Sequence, residues 1–284
     1  MRLVSYQAES GPGVAGLRDG RYVDLHQADQ GLPLSMKELL VQADREPERL
    51  ERALARAPLL SEGLRLLPPV ADPEKIICVG LNYADHARES GATAPEEPVL
   101  FSKFPSALAG HEQPIVLPAL SAEVDFEAEL VVVIGRPGRH IPRQDAYQYV
   151  AGYCCGHDVS ARDWQLRKPG KQWLLGKTFD TFAPCGPALV TRDEVPSPGT
   201  LRIQFRLNGQ TLQDSNTDQL IFPIDELVAY VSRVCTLKPG DLIFTGTPSG
   251  VGFARKPPIF LRAGDRAEVE IDGIGLLANP VTAE

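Results

Sequence analysis

The chain has 284 residues, 43% hydrophobic and 23% charged, with a formal net charge of −8. Such a composition belongs to an ordinary globular chain, long enough for one large domain and a smaller one. It offers no basic run that would mark a nucleic-acid partner, and its longest apolar run, Leu130–Ile134, is far too short for a membrane helix.

The opening MRLVSYQAES lacks the apolar core of a secretory signal, so export is not expected and the cytoplasm is the expected location. RLVSYQ and GVAGLRDGRYVDL read as short strands, with Asp-Gly in RDGR marking a hairpin. SMKELLVQAD and EPERLERALARA read as helices, the second with proline in its first turn. The unpatterned, Pro-rich RLLPPVADPEK (Arg65–Lys75) reads as a linker, which puts a domain boundary near residue 70. Beyond it, KIICVG and VDFEAELVVVIG are strands, and LRIQFRLNGQTLQDS is a hairpin turning at Asn-Gly. FPIDELVAYVSRV is a helix with Ile224, Leu227, Val228, Val231 and Val234 on one face. DLIFTGTP and DRAEVEIDGIGLLANPV complete a strand-rich set, so the fold class expected is α+β and β-rich. The five cysteines are odd in number with no CxxC spacing, and read as reduced, buried thiols.

AEVDFEAELVVVIG (Ala122–Gly135) places Asp125, Glu127 and Glu129 at alternate positions just before an apolar run. In a strand these carboxylates share one face, about 7 Å apart, opposite Val124, Phe126, Ala128 and Leu130. Anions so close, entering a core, require positive charge nearby. The spacing alone leaves two readings: ligands for a hard dication, which prefers oxygen donors, or solvent-facing residues of an edge strand. Asp158, just after the strand-like GYCCGH, tips the balance toward the first, and an all-oxygen set points to Mg²⁺ or Mn²⁺ before zinc. In ADHARES, His86 and Glu89 lie three apart on a short helix, where the carboxylate can orient the imidazole as a base; an idle surface pair is the other reading. Lys177 lies in the glycine- and proline-bearing GKQWLLGKTFDTFAPCGP, facing either an anionic substrate or solvent. The turns of DLIFTGTPSGVG offer backbone N–H groups, with Thr245 or Thr247, to a carboxylate.

Taken in order, GLNYADHARE, PVLFSKFPSAL, VDFEAELVVVIG, GHDVSARDWQ, GKTFDTFAPCGP and LIFTGTPSGVG resemble the motifs of the fumarylacetoacetate hydrolase family, from about Lys75 to the C-terminus. The resemblance implies a β-roll-like catalytic domain over residues 71–284 behind a small N-terminal α+β domain of residues 1–70, usually as a homodimer. It implies Glu127, Glu129 and Asp158 as ligands of Mg²⁺ or Mn²⁺. Asp125 matches the aspartate before the ligand pair, usually not itself a ligand. His86 and Glu89, on a lid helix, and Lys177 fall on catalytic positions; Lys103, Arg162, Gln165 and Thr247 fall on substrate-binding ones. Leu81 departs from the arginine that many members carry before Asn-Tyr, which leaves the grip on the distal end of the substrate open. DWQLRKPGKQWLLGKTFDTFAPCGPALVT and FARKPPIFL resemble the branch of animal mitochondrial proteins for which oxaloacetate keto–enol tautomerase activity is recorded.

The expected substrate is therefore a 2-oxo or 2,4-dioxo acid whose enolate a metal stabilises. Hydrolysis of a C–C bond in an acylpyruvate, with His86 activating water, is the outcome expected first. Tautomerisation or decarboxylation of oxaloacetate is the alternative. A dicarboxylate-binding protein without turnover is a further one, disfavoured because a pure binder has no use for His86, Glu89 and Lys177.

Overall fold

The computed structural model describes residues 1–9, 11–61, 63–91 and 93–284. Its fold is α+β and β-rich, built on two principal sheets. The larger runs in the order Arg21–Asp24, Gly11–Arg18, Arg2–Ala8, Ala183–Thr191, Val150–His157, Ala128–Ile134, Leu242–Phe244, Ile76–Gly80 and Val99–Lys103. The smaller runs Gln210–Asn216, Arg202–Leu207, Arg266–Ile271, Gly275–Ala283 and Ile115–Leu117. Their facing sides close over a core in which Phe126 and Phe205 stack with centroids 4.3 Å apart. Every residue of Ala128–Ile134 is buried, as befits an interior strand covered on both faces. That position removes the edge-strand reading of its acids.

The hairpin signals act as expected. Asp19–Gly20 and Asn208–Gly209 both hold positive φ, the conformation a two-residue turn needs to match strand twist. Helices span Met36–Arg45 and Pro47–Arg56, the latter starting on its proline. The N-terminal strands extend the large sheet, with Arg2–Ala8 pairing antiparallel to Ala183–Thr191 through Leu3 opposite Leu189. Helix Ile224–Val234 buries Ile224, Leu227, Val228 and Val231. Val234, expected on the same face, is instead 68% exposed, because the helix ends there and its last turn projects past the core.

Alternation through Asp125, Glu127 and Glu129 is also broken. Val124–Asp125 pairs with Ser160–Ala161 as a separate two-stranded ribbon, and the long strand begins only at Ala128. The physical reason is local: Asp125 accepts hydrogen bonds from the backbone N–H groups of Phe126, Gly252 and Phe253, which turns the chain out of the main ladder.

Register places the chemistry at one end of the large sheet. Ala128 lies opposite His157, so Asp158 emerges beside Glu127 and Glu129. Ile76–Gly80 runs parallel to Leu242–Phe244, so the turns at Leu81 and at Thr245–Thr247 leave the same end. Asn82, fully buried, ties those turns together by donating to the carbonyls of Thr245 and Phe222 and accepting from Phe222 N–H.

Candidate metal centre and active site

Glu127, Glu129 and Asp158 converge with one ligand atom each inside 4.8 Å of one another, all three buried. Three cations surround them. Lys177 Nζ donates to Glu127 Oε2 and to Asp158 Oδ2, each at 2.8 Å. Arg162 reaches Asp125 Oδ2 at 2.8 Å and Glu127 Oε1 at 2.7 Å, and donates to Gln165 Oε1 at 2.9 Å. These two side chains come from short helices, Arg162–Arg167 and Leu174–Lys177; on the first, Arg162 and Gln165 are one turn apart and share a face.

Lys103 stands behind the acids rather than on the cavity wall. Its buried ammonium lies 2.6 Å from Asp158 Oδ1, an ion pair that leaves Oδ1 without a formed hydrogen bond. It also donates to the carbonyls of Val159 at 2.9 Å, Phe182 at 2.7 Å and Lys177. Burial pulls its pKa below that of an ordinary lysine, against the opposing pull of Asp158.

Glu129 is the exception among the acids. Its carboxylate accepts from Gly246 N–H at 2.9 Å, and among the described residues no basic side chain forms an ion pair with it. Burial first, then the charges of Asp158 and Glu127, push it well above the usual carboxylate range. Glu127 goes the other way: burial raises it, but Lys177 and Arg162 outweigh burial and hold it well below that range. A buried acid beside two others, with no ion-paired basic side chain of its own among the described residues, belongs to a donor set that suits a hard dication. Counting Asp125, four acids face three cations among the described residues, and a bound dication would turn this formal balance from −1 to +1, suited to an anionic substrate. The FTGTP turn does hold a carboxylate, and it is the protein's own.

His86 and Glu89 lie on helix Ala84–Ser90, with Nδ1 3.4 Å from Glu89 Oε2. Glu89 also accepts from Gly250 N–H, through both oxygens at 3.0 Å. Burial opposes its ionisation, but the bonds to His86 and Gly250 prevail and lower its pKa. Asp85 anchors the helix from the other side, accepting from Ser215 Oγ at 2.6 Å.

A cavity of about 400 Å³ unites His86, Glu89, Glu127, Glu129, Arg162 and Lys177. Gln165 and Thr247 line it as well. Because the Gln165 oxygen is taken by Arg162, its amide N–H₂ is turned away from the guanidinium; Thr247 Oγ1 accepts from Gln213 at 2.9 Å. The rest of the wall, including Phe101, Trp173 and Phe253, escaped the sequence reading: Phe101 sits in the strand Val99–Lys103, and aromatic residues in turns, such as Trp173 and Phe253, carry no periodic signal of their role. One clue was present: Gly80, where an added Cβ would fall 2.4 Å from the Trp173 ring.

Residues 75–282 match the fumarylacetoacetate (FAA) hydrolase C-terminal family. The chain belongs to the fumarylacetoacetate hydrolase family. It is 50% identical to the protein of Bos taurus named oxaloacetate tautomerase FAHD2A, mitochondrial, over 99% of this chain and 91% of the relative. It is 48% identical to oxaloacetate tautomerase fahd2, mitochondrial, of Xenopus laevis, over 99% of this chain and 90% of that one. The solved fumarylacetoacetate hydrolase of Exiguobacterium antarcticum superposes with a TM-score of 0.90 at 36% identity, each chain fully covered. With an acid cluster able to hold a metal at one end of its large sheet, this member of the family is an enzyme, and the reading as a binding protein without turnover falls. The expected cytoplasmic location is corrected too, because the relatives of Bos taurus and Homo sapiens bear mitochondrial names. That expectation rested on a missing secretory core, which speaks to export and not to organelles.

Proposed function

We propose that the protein is a metal-dependent keto–enol tautomerase acting on oxaloacetate, with Mg²⁺ or Mn²⁺ held by Glu127, Glu129 and Asp158. Names of relatives half-identical over nearly the whole chain favour isomerisation over the C–C hydrolysis expected first from the sequence. The observation that carries the reading is the seating of Lys177 between Glu127 and Asp158, on the floor of a cavity that His86 also lines. A bound dication would polarise the 2-oxo group as a Lewis acid.

The chain's own residues do the rest. Lys177 and Arg162 set the charge at the floor, and Gln165 and Thr247 present polar groups to the substrate's oxygens. Lys103 fixes Asp158 from behind. His86, oriented by Glu89, takes the proton from C3 and delivers it to the 2-oxo oxygen. Glu89 also clamps the helix to Gly250, so the base and the cavity mouth move together. In this proposal residues 1–70 form a small domain ahead of the catalytic one, and the working unit is a homodimer.

C–C hydrolysis of an acylpyruvate is the second reading. It is favoured by the close superposition on a fumarylacetoacetate hydrolase and by the same His86–Glu89 pair, which would activate water toward C4. One panel separates the two: enol-oxaloacetate, an acylpyruvate and fumarylpyruvate, followed by ultraviolet absorbance before and after chelation and metal return. Loss of the oxaloacetate enol without release of pyruvate from the dioxo acids is expected. Pyruvate release with inert oxaloacetate would replace the first reading by the second.

A further inference from the structure

We propose, resting on the tautomerase reading, that the site also takes 2-oxo acids bearing an uncharged aryl or bulky alkyl group on C3, and interconverts their keto and enol forms. A cavity of about 400 Å³ belongs to the size class that encloses drug-sized ligands, and a four-carbon diacid at the acid cluster fills only its inner end. The remainder of the wall is apolar and can be followed outward from the acids. The Phe101 ring lies 4.9 Å from Lys177 Nζ, and Trp173 packs edge-on to Phe101 at 5.5 Å. Trp173 covers Gly80, and the next residue, Leu81, lines the same wall. On the other flank Phe253 lies over Arg162 at 6.0 Å, and Leu166 follows Gln165; each is 45% exposed at the mouth. Large apolar side chains left open to solvent around a cavity mark a surface meant to be covered.

Charge points the same way. Among the described residues, the basic side chains lining the cavity are Arg162, Lys177 and the His86 imidazole. Arg162 and Lys177 are each engaged by two acids, and His86 faces Glu89. A carboxylate at the outer end would be desolvated against Leu81, Trp173 and Leu166 without a counter-charge, whereas an aromatic ring there buries its faces on matching surface. Leu81 holds its place at φ +53°, a conformation costly for leucine, as expected where position matters more than local comfort.

The step balances without a co-reactant. The C3–H bond breaks with its proton passing to His86, its electron pair becomes the C2=C3 bond, the C2=O π pair moves onto the oxygen, and His86 delivers the proton to that oxygen. The reverse restores both, with no atom gained or lost.

The test gives the metal-loaded enzyme enol-phenylpyruvate and enol-oxaloacetate in parallel, following loss of enol absorbance, and titrates phenylpyruvate by calorimetry at two temperatures. The expected result is turnover of phenylpyruvate at a kcat/KM within about tenfold of oxaloacetate or above it. Its binding should carry a negative heat-capacity change, the mark of apolar burial. Leu81→Arg and, as a second variant, Trp173→Ala should each lower kcat/KM for phenylpyruvate about tenfold or more, chiefly through KM, and shift preference toward oxaloacetate. Turnover of oxaloacetate with phenylpyruvate unbound, or bound and inert, overturns this inference and leaves the proposed function standing. Turnover of phenylpyruvate alone supports it and overturns oxaloacetate as the substrate; turnover of neither overturns both.

Discussion

Replacing Lys103 by methionine separates a residue that touches substrate from one that holds a ligand in place. The side chain is fully buried, and its ammonium serves Asp158 Oδ1 and three backbone carbonyls. Methionine fills similar space but leaves the three carbonyls without this donor and Asp158 Oδ1 without its counter-charge. A buried acceptor stripped of its partner costs about 1–3 kcal/mol, and removing one member of a buried ion pair about 3–5 kcal/mol. These losses overlap, so about 4 kcal/mol is expected, which at about 2–4 °C per kcal/mol lowers Tm by about 10 °C. Asp158 also loses its brace, and metal affinity should fall about 10–100-fold, as when other outer partners of ligands are removed. Differential scanning calorimetry reads the first effect, Mn²⁺ titration the second, and steady-state kinetics at saturating metal the third, where KM should change little. A Lys103→Met protein with unaltered Tm and metal affinity but a sharply raised KM would refute this reasoning and turn the ammonium toward the substrate.

Glu129→Gln keeps an oxygen for Gly246 N–H while removing the one acid of the cluster that lacks a cation, so the metal-free protein should gain about 1–2 kcal/mol and melt a few degrees higher. A lower Tm for that variant would show that Glu129 is already compensated. In the N-terminal region, Arg49 donates to Asp29 through two bonds of 2.7 and 2.9 Å, and with the Gly31 amide it holds the Asp29 pKa at about 2, below the ordinary 3.8. A depressed carboxylate contributes stability above its unfolded pKa and loses it as pH falls through the folded one. The stability difference between wild type and Arg49→Gln should therefore be constant above about pH 5 and shrink toward pH 2; urea melts across that range check it. A difference independent of pH would remove the ion pair from the account.

The hairpin turns at Asp19–Gly20 and Asn208–Gly209, and the helix opening on Pro47, were legible because each rests on a local conformational preference that sequence neighbours decide. The acids were legible for a related reason, since closely spaced carboxylates running into an apolar strand demand an explanation. What could not be read was partnership across the chain. Asp125 leaves the ladder for amides 127 and 128 residues away, and Arg2–Ala8 pairs with a strand nearly two hundred residues on. No local pattern encodes such contacts. The place of Lys103 belongs to the same class: a lysine in FSKFPSAL carries no mark that its ammonium will be walled in by the carbonyls of Val159, Lys177 and Phe182, from three separate segments. Val234 continues the helical period into solvent because periodicity does not say where the core ends.

The most direct test of the central claim is calorimetric titration of the chelator-treated protein with Mn²⁺, wild type beside Glu129→Gln. The account predicts one equivalent bound per chain by the wild type and none by the variant at the same concentrations. Absence of binding by the wild type, or equal binding by both, would contradict the assignment of Glu127, Glu129 and Asp158 as the seat of the metal.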